Sequence, residues 1–528
     1  MRMEIAKLGP SDKFSLADII KSSGITYRFY TDKNDIKDLH INNLCADSRK
    51  AQPGDLFVAV PCPQVIKHTA EAIDKGARIV IATTEVIDAF HHHTELPQTS
   101  CLRNDESVIF IETPSPRLAL SLLAKAFFKT QPEVLCAVTG TNGKSSIVSI
   151  VRQFWELLGY HATSFGTLGV ELTKQALHKK ATLPQMPSTL NTYDSLSFFY
   201  LLQSLAHAKI NHAVFEASSH GLDQSRIHGC QLSVAGFTNL TQDHLDYHQT
   251  MEEYFQAKAK LFAEVLSAGK IAVLNADSPY TERLKEIAIK GSVKVLTYAL
   301  HAAADLVASQ IKTHGSNITF DLKYKETTYP DIVLNLSGTF QVENTLCAIG
   351  MLLASGTPLS EILPLIPKLK SVAGRMELIG STPNGAHVYV DYAHTPDALE
   401  HALKSLRTHT SNSIWVVFGC GGDRDNLKRP LMGKIALDLA DSIVITDDNP
   451  RSENPANIRQ QILKECISKA HEIADRRQAI AYAIAHLEKG DTLLIAGKGH
   501  EAGQIIENKI YPFSDKQEAE EVLARLKI

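Results

Sequence analysis

The sequence predicts an α/β protein built on wound, largely parallel sheets. Three observations predict it. From about residue 131 onward, short apolar runs alternate with segments of helical periodicity, the pattern of strand–helix–strand units. Charged and glycine-rich residues collect just after those runs, where parallel strands present reactive groups at their carboxyl ends. One run, Val134 to Val138, leads through the turn TGTNGKSS into a segment whose apolar residues Ile147, Ile150, Val151, Phe154 and Leu158 recur at helical spacing.

That stretch, Glu133 to Tyr160, organises the chain. Its apolar run suits a strand buried on both faces. Gly140 and Gly143 let the backbone bend so that its N–H groups point inward. The helix start adds partial positive charge, and Lys144 adds a full one. Ser145 offers a hydroxyl to a magnesium ion. The spacing is a short G-T-N-G-K-S form, with Val138 where the generic phosphate loop has its first glycine. A glycine turn alone is usually only a turn. Lys-Ser, with a strand before and a helix after, favours phosphate binding.

At 528 residues the chain is long enough for three or four domains. It is 44% hydrophobic and 21% charged, ordinary for a globular protein with several cores. A net charge of −4 gives no global basic field, so nucleic acid is not expected as a partner. No apolar run is long enough to span a bilayer, and the N-terminus lacks an apolar signal core. Eight scattered cysteines without a C-x-x-C pair fit a reducing cytoplasm. A cytoplasmic monomer is expected.

Three domains are expected. Residues 1–130 read as mixed α/β, with a structured segment at Leu44 to Val60, a helix near Thr69 to Lys75, a strand at Arg78 to Ala82 and a helix at Ser115 to Lys129. His91, His92 and His93 are expected in a solvated loop, since three adjacent histidines do not easily face one metal. Residues 131–370 continue from the phosphate loop with a helix at Asp194 to His207 and strands at His212 to Phe215 and Leu232 to Phe237. Ile318 to Lys323 and Ile332 to Leu336 read as a small extra antiparallel sheet. Residues 371–528 read as a second, Rossmann-like wound sheet, with strands near Val388, Ile414, Ser442 and Thr492.

Several constellations sit at the expected strand ends. GCGGD at Gly419 to Asp423 lacks dinucleotide-binding spacing and reads as a tight turn. Glu216 is either a magnesium ligand or a surface acid. Asp243, His244, Asp246 and His248 read as a metal shell or proton carrier, or as a helix cap with loop histidines. Lys258, on a helical stretch, reads by itself as solvated. Arg424, Arg429 and Arg451 in strand-end loops suggest a carboxylate or phosphate site. Asp447, Asp448 and Glu501 nearby suit an ammonium, so a zwitterionic amino acid fits that edge.

The motifs DSR, GTNGKSS, EASSHGLDQSR, TNLTQDHLDYH, AKAKLF, GRME, DYAHTPDALE, GCGGDRDNLKRP, DDNPR and GKGHE, in this order, resemble the ATP-dependent Mur ligases, most nearly the diaminopimelate-adding members. The resemblance covers almost the whole chain. It implies a first domain that binds a uridine nucleotide, a central ATPase domain and a last domain that binds an amino acid. It implies ATP and Mg2+, with UDP-N-acetylmuramoyl-L-alanyl-D-glutamate and meso-diaminopimelate as substrates. Gly140, Thr141, Asn142, Gly143, Lys144, Ser145 and Ser146 would hold ATP phosphates, with Asn344, Arg375 and Asp391 around the nucleotide. Lys144, Glu216, His244 and Lys258 would be the catalytic set, and Ser145, Glu216, His244 and a carbamylated Lys258 would serve magnesium.

The resemblance also implies the substrate contacts. Ser48 would meet the uridine nucleotide, and Asn191, Thr192, Ser218, Gln224 and Arg226 the muramoyl dipeptide. Arg424, Asp448, Asn449, Pro450, Arg451, Gly497 and Glu501 would hold diaminopimelate. Arg451 matches the extra carboxylate that distinguishes diaminopimelate from lysine. The chain departs from the family at the loop Pro61 to Lys67, at Asn191 for threonine and at Gln341 for asparagine. Ala373-Gly374 reads as a hinge. A lysine-adding Mur ligase, a folylpolyglutamate synthase-like enzyme and an inactive nucleotide-binding scaffold are the alternatives.

Overall fold

The computed structural model describes residues 14–29, 39–92, 108–186, 192–314, 317–507 and 509–526. The chain divides into two compact units. One comprises Met1–Leu135, His178–Asn211 and His220–Gln231, the other Cys136–Leu177, His212–Ser219 and Leu232–Ile528.

The first unit opens with β1 (Phe14–Ser15), β2 (Arg28–Phe29) and β3 (His40–Ile41), β1 pairing with β3. Its main sheet also takes β4 (Asn43–Cys45), β5 (Asp55–Val58), β6 (Ile79–Ala82) and β7 (Ile109–Glu112), in the order β2-β7-β6-β5-β4. Only β2 runs antiparallel. Phe57, Val80 and Phe110 meet Ala70, Ile73, Ile87 and Phe90 from the helices Val65–Asp74 and Thr84–His91 in one core. The first of those helices begins four residues before the expected start, and so shortens the divergent loop after Val60. His91 ends the second helix and His92 caps it, so the expected solvated loop is partly helix, although both residues are exposed. His93 lies outside the described residues. Pro116 at the start of Pro116–Phe128 and Asp194, which accepts from Ser197 N at 3.0 Å, begin the two long helices of this unit.

The second unit carries a ten-stranded sheet. Its strands are β8 (Val134–Thr139), β9 (Ala162–Gly166), β10 (Gly169–Leu172), β11 (His212–Glu216), β12 (Val234–Phe237), β13 (Ile271–Asn275), β14 (Lys294–Ala299), β15 (Leu306–His314), β16 (Asn317–Tyr324) and β17 (Thr327–Leu334). The order is β10-β9-β11-β8-β12-β13-β14-β15-β16-β17, which puts the phosphate-loop strand inside the sheet. The antiparallel strands do not stand apart as a separate sheet. β15 joins β14 through two parallel pairs, Tyr298↔Leu306 and Ala299↔Val307, and β16 and β17 extend the edge.

A six-stranded sheet follows: β18 (Glu377–Ser381), β19 (His387–Asp391), β20 (Ile414–Phe418), β21 (Ser442–Ile445), β22 (Ala470–Glu472) and β23 (Thr492–Ala496), ordered β18-β19-β23-β20-β21-β22. All but β18 are parallel. Cores on its two faces are filled by alternate residues, Val416 and Phe418 on one and Val417 on the other. A hairpin, β24 (Gly503–Ile506) with β25 (Lys509–Pro512), stands beyond it. No helix among the described residues is long and apolar enough to cross a membrane.

Candidate active site

β8 ends at Thr139, and the helix Lys144–Leu157 starts from Gly143. Gly143 sits at φ +85°, and a Cβ there would lie 2.6 Å from Asn344 Oδ1, so only glycine fits. The loop is pinned by its neighbours. Asn142 N donates to Asn239 Oδ1 (2.9 Å), Thr238 Oγ1 donates to Asn142 O (2.7 Å), and Thr141 N donates to Asn239 O (2.9 Å). Ser145 and Ser146 are buried in the first helical turn, where backbone N–H groups lack intrahelical acceptors.

Lys144 Nζ donates to the carbonyls of Gly140 (2.9 Å) and Thr141 (2.7 Å). Lys258 Nζ donates to the same Gly140 carbonyl at 2.7 Å and lies over the Tyr254 ring at 4.4 Å. Lys258 is 2% exposed, which overturns the solvated-helix reading. Burial lowers the pKa of both ammonium groups. Glu216 and Asp243 oppose this at Lys144, whereas at Lys258 the neighbouring Lys144 charge adds to it.

Glu216 ends β11, buried, and is held by Thr167 through N→Oε1 and Oγ1→Oε2, both 2.9 Å. His244 stands at φ +56° at the start of the short helix Leu245–His248, with Nε2 3.4 Å from Asp243 Oδ2. Asp243 also faces His394 at 3.8 Å. Burial pushes the Asp243 carboxyl up, but His244, His394 and Lys428 outweigh this and hold it well below its ordinary value. Asp243, read from the sequence as part of a metal shell or a helix cap, thus belongs to the charge pattern around the loop together with His394 and Lys428, which sequence reasoning did not assign.

The residues after Gly374 reach the same loop. Arg375 Nη2 donates to Ser145 Oγ at 2.9 Å while its guanidinium lies over Tyr392 at 4.2 Å. Asp391, ending β19, accepts from Met376 N (2.6 Å) and Ala393 N (2.7 Å). Asn142 Nδ2 donates to Asp397 Oδ2 at 2.7 Å. Asn344 Nδ2 donates to Gln341 Oε1 at 3.1 Å, so the glutamine departure keeps a partner for that asparagine. Gly374 is at φ +64°, and a Cβ would meet His500 N at 2.3 Å and Gly499 C at 2.5 Å. Gly374→Ala is therefore expected to destabilise the fold by about 1–3 kcal/mol or more, read as a lower denaturation midpoint.

At the edge of the second wound sheet, Asp448, Asn449 and Pro450 are buried and Arg451 is half-buried at φ +51°. The hairpin fixes Arg451: its N donates to Ile505 O (3.1 Å), and Glu507 N donates to its O (2.7 Å). Its Nη1 donates to Gly422 O at 2.9 Å. Burial and the nearby Arg424 lower its pKa. Glu501 Oε2 accepts from Asn449 Nδ2 at 2.9 Å, and Gly497 follows β23. Arg424 is exposed, with Nη1 on Asp423 O at 2.9 Å.

Two expectations fail at this edge. Arg429 is no loop cation. It lies in the helix Lys428–Leu439, fully buried, and pairs through both Nη atoms with Glu453, each at 2.9 Å, so it supports the Gly421 turn instead. Asp447 is paired with Arg459 and is not free for an ammonium. Beneath the edge, Arg476 and Asp515 form a fully buried pair at 2.7 Å, and Arg476 Nη2 holds Ala496 O at 2.8 Å. Asp515→Ala leaves that guanidinium buried and unpaired. Chemical denaturation is expected to record a loss of about 3–5 kcal/mol.

In the first unit, Arg226 Nη1 donates to Thr192 O at 2.7 Å and its Nη2 to Gln224 Oε1 at 2.8 Å, so these three residues come together. Ser48 is buried, its Oγ donating to Glu71 Oε2 at 2.8 Å while Lys75 Nζ donates to its carbonyl at 3.0 Å. Ser218 is half-buried just after Glu216 in the second unit. Asn191 lies outside the described residues.

A glycine loop at the end of an interior strand, with a second wound sheet bearing paired acids and arginines, defines the α/β class of this chain. Residues 138–352 match the Mur ligase middle domain, and residues 374–499 match the glutamate ligase domain of Mur ligases. The chain belongs to the Mur ligase family. It is 41% identical over 485 residues to the UDP-N-acetylmuramoyl-L-alanyl-D-glutamate--2,6-diaminopimelate ligase of Chelativorans sp. (strain BNC1), covering 92% of this chain and 95% of that one. A solved structure of a ligase of that name matches 94% of this chain and 97% of its own at 32% identity and a TM-score of 0.64. A folylpolyglutamate synthase from Mycobacterium tuberculosis, complexed with ADP and AMPPCP, matches 73% of this chain and 92% of its own at 18% identity and a TM-score of 0.59, a likeness of fold.

Proposed function

We propose that the protein is an ATP-dependent amide ligase that adds meso-diaminopimelate to the D-glutamate of UDP-N-acetylmuramoyl-L-alanyl-D-glutamate, in peptidoglycan precursor synthesis. One observation carries this reading: Lys144 and Lys258 converge on the Gly140 carbonyl at 2.9 and 2.7 Å, with Arg375 on the adjoining Ser145 hydroxyl. The Lys144 ammonium and the Arg375 guanidinium beside the loop's N–H groups suit a triphosphate. The names of the full-length relatives support the substrates.

The residues fit magnesium in a particular way. Ser145 and Glu216 offer oxygen donors, whereas no cluster of three His, Cys, Asp or Glu side chains able to hold a metal occurs among the described residues. The ion would thus lean on phosphate oxygens and water, as magnesium commonly does. When bound, it would neutralise charge on the transferring phosphoryl group. A buried Lys258 with a lowered pKa is disposed to react with carbon dioxide, and the resulting carbamate would replace a repelling cation by an oxygen ligand.

The chain's own residues divide the remaining work. Loop N–H groups and Lys144 position the triphosphate, so that its terminal phosphoryl group passes to the glutamate side-chain carboxylate. The amine of diaminopimelate then attacks the acyl phosphate, forming the amide and releasing phosphate. Asn449 and Glu501 would hold the amino acid through an ammonium, and Arg451 would hold it through a carboxylate. Arg375 and Asp397 reach the loop through Ser145 and Asn142, and with substrates bound these contacts would help shield the acyl phosphate from hydrolysis. Three domains, 1–130, 131–370 and 371–528, would carry the nucleotide-linked acceptor, ATP and the amino acid respectively. A phosphate-release assay with the uridine dipeptide and a panel of amino acids tests the reading. Diaminopimelate is expected to support turnover; release with lysine or glutamate in its place would refute the assignment.

A further inference from the structure

Lys498 is fully buried, and its ammonium sits among three groups that the proposed function gives to the amino acid. Nζ donates to Asn449 Oδ1 at 3.0 Å and to Glu501 Oε2 at 3.1 Å, and lies 3.8 Å from Asp448 Oδ1. The preceding Gly497 is at φ +113°, where a Cβ would come within 2.6 Å of Asp448 Oδ2. Gly497 therefore closes on Asp448, and the Lys498 side chain closes on both Asp448 and Glu501.

A buried ammonium is costly unless paired, so its retention needs a physical reason. The turn after β23 requires glycine geometry at Gly497, but nothing in that geometry requires a cation at the next position. The charge pattern does. Two carboxylates, Asp448 and Glu501, face one ammonium, which leaves a single net negative charge. That charge matches one substrate ammonium. Arg451 and Arg476 also feel both acids electrostatically. Arg476 is neutralised by Asp515, whereas Arg451, its guanidinium turned to Gly422 O, keeps its charge for the substrate carboxylate. Lys498 and Asn449 both hold Glu501 Oε2, which leaves Oε1 as the oxygen without a hydrogen-bond partner among the described residues.

We propose that Lys498 is a positioning residue for the amino-acid substrate, orienting Glu501 and Asn449 and setting the site's charge to that of one ligand ammonium. This rests on the reading given under the proposed function. Wild type, Lys498→Met and Lys498→Gln are compared as full-length proteins in steady-state kinetics with each substrate varied in turn. Both variants should raise KM for diaminopimelate about tenfold or more while KM for ATP and for the uridine dipeptide stays within about twofold. Combined with Glu501→Gln, the effects should be less than multiplicative, because the lysine acts through that carboxylate. An unchanged diaminopimelate KM, a uniform rise in all three KM values, or loss of folding in both variants overturns the proposal. The wild-type arm separates the two readings. If wild type fails to use diaminopimelate, the functional reading falls and takes this one with it. If wild type is active and the variants match it, only the role of Lys498 falls.

Discussion

Lys144→Ala is expected to abolish diaminopimelate-dependent ADP formation, with a loss of at least about a thousandfold in kcat. The lysine starts the helix Lys144–Leu157, and its ammonium lies against the carbonyls of Gly140 and Thr141, where phosphate oxygens would be met. Removing it takes a full charge from a buried loop, and no neighbour is placed to substitute. Lys258 is committed to the Gly140 carbonyl and Arg375 to Ser145. The loop fold itself should survive, because Asn239 and Thr238 hold it independently of the lysine. Folding is checked by circular dichroism and turnover by coupled ADP detection. A variant retaining wild-type kcat would remove Lys144 from the chemistry.

The second large effect is expected at Arg451. Diaminopimelate differs from lysine by a carboxylate at its far end, and a guanidinium at the Asp448 to Arg451 turn suits that group. Arg451→Ala should lower kcat/KM for diaminopimelate by roughly a hundredfold or more and leave the value for lysine little changed or higher. The backbone is held by the hairpin through Ile505 and Glu507, so the substitution removes the side chain without unpinning the turn. Competing diaminopimelate against lysine in one reaction gives the ratio directly. An unaltered ratio would place specificity elsewhere.

The two sheets were unequally legible in the sequence. β8, β11, β12, β20 and β23 are compact apolar runs and stand out by composition. β9 does not: its residues Ala162 to Gly166 include Thr163 and Ser164, which are buried nonetheless. Polar residues paired inside a sheet carry no hydrophobic signal, so such a strand is invisible until its neighbours are placed. β16 alternates in burial, and β16 and β17 were partly recognised, but the attachment of β15 to β17 to the large sheet rests on two residue pairs that no local pattern announces.

The site followed the same rule. The glycine loop was readable because its chemistry is local: glycines, lysine and serine sit within a few bonds of one another. Arg429 and Lys498 were not, because the same residue type serves as a ligand at a surface and as a strut when buried. Arg429 became a strut through Glu453, 24 positions along the chain, and Lys498 through Asn449, 49 positions away. Lys258 reversed in the opposite sense, from an ordinary helical lysine to a buried partner of the phosphate loop.

By itself the chain's sequence determined the class of fold, the phosphate loop and the set of residue types that its family shares, since each is encoded over short spans by periodicity and spacing. Tertiary structure alone decided which charges are buried, which are paired and which remain for a ligand. Burial and electrostatic pairing depend on distances between residues far apart in the chain, and those distances exist only after the sheets have formed.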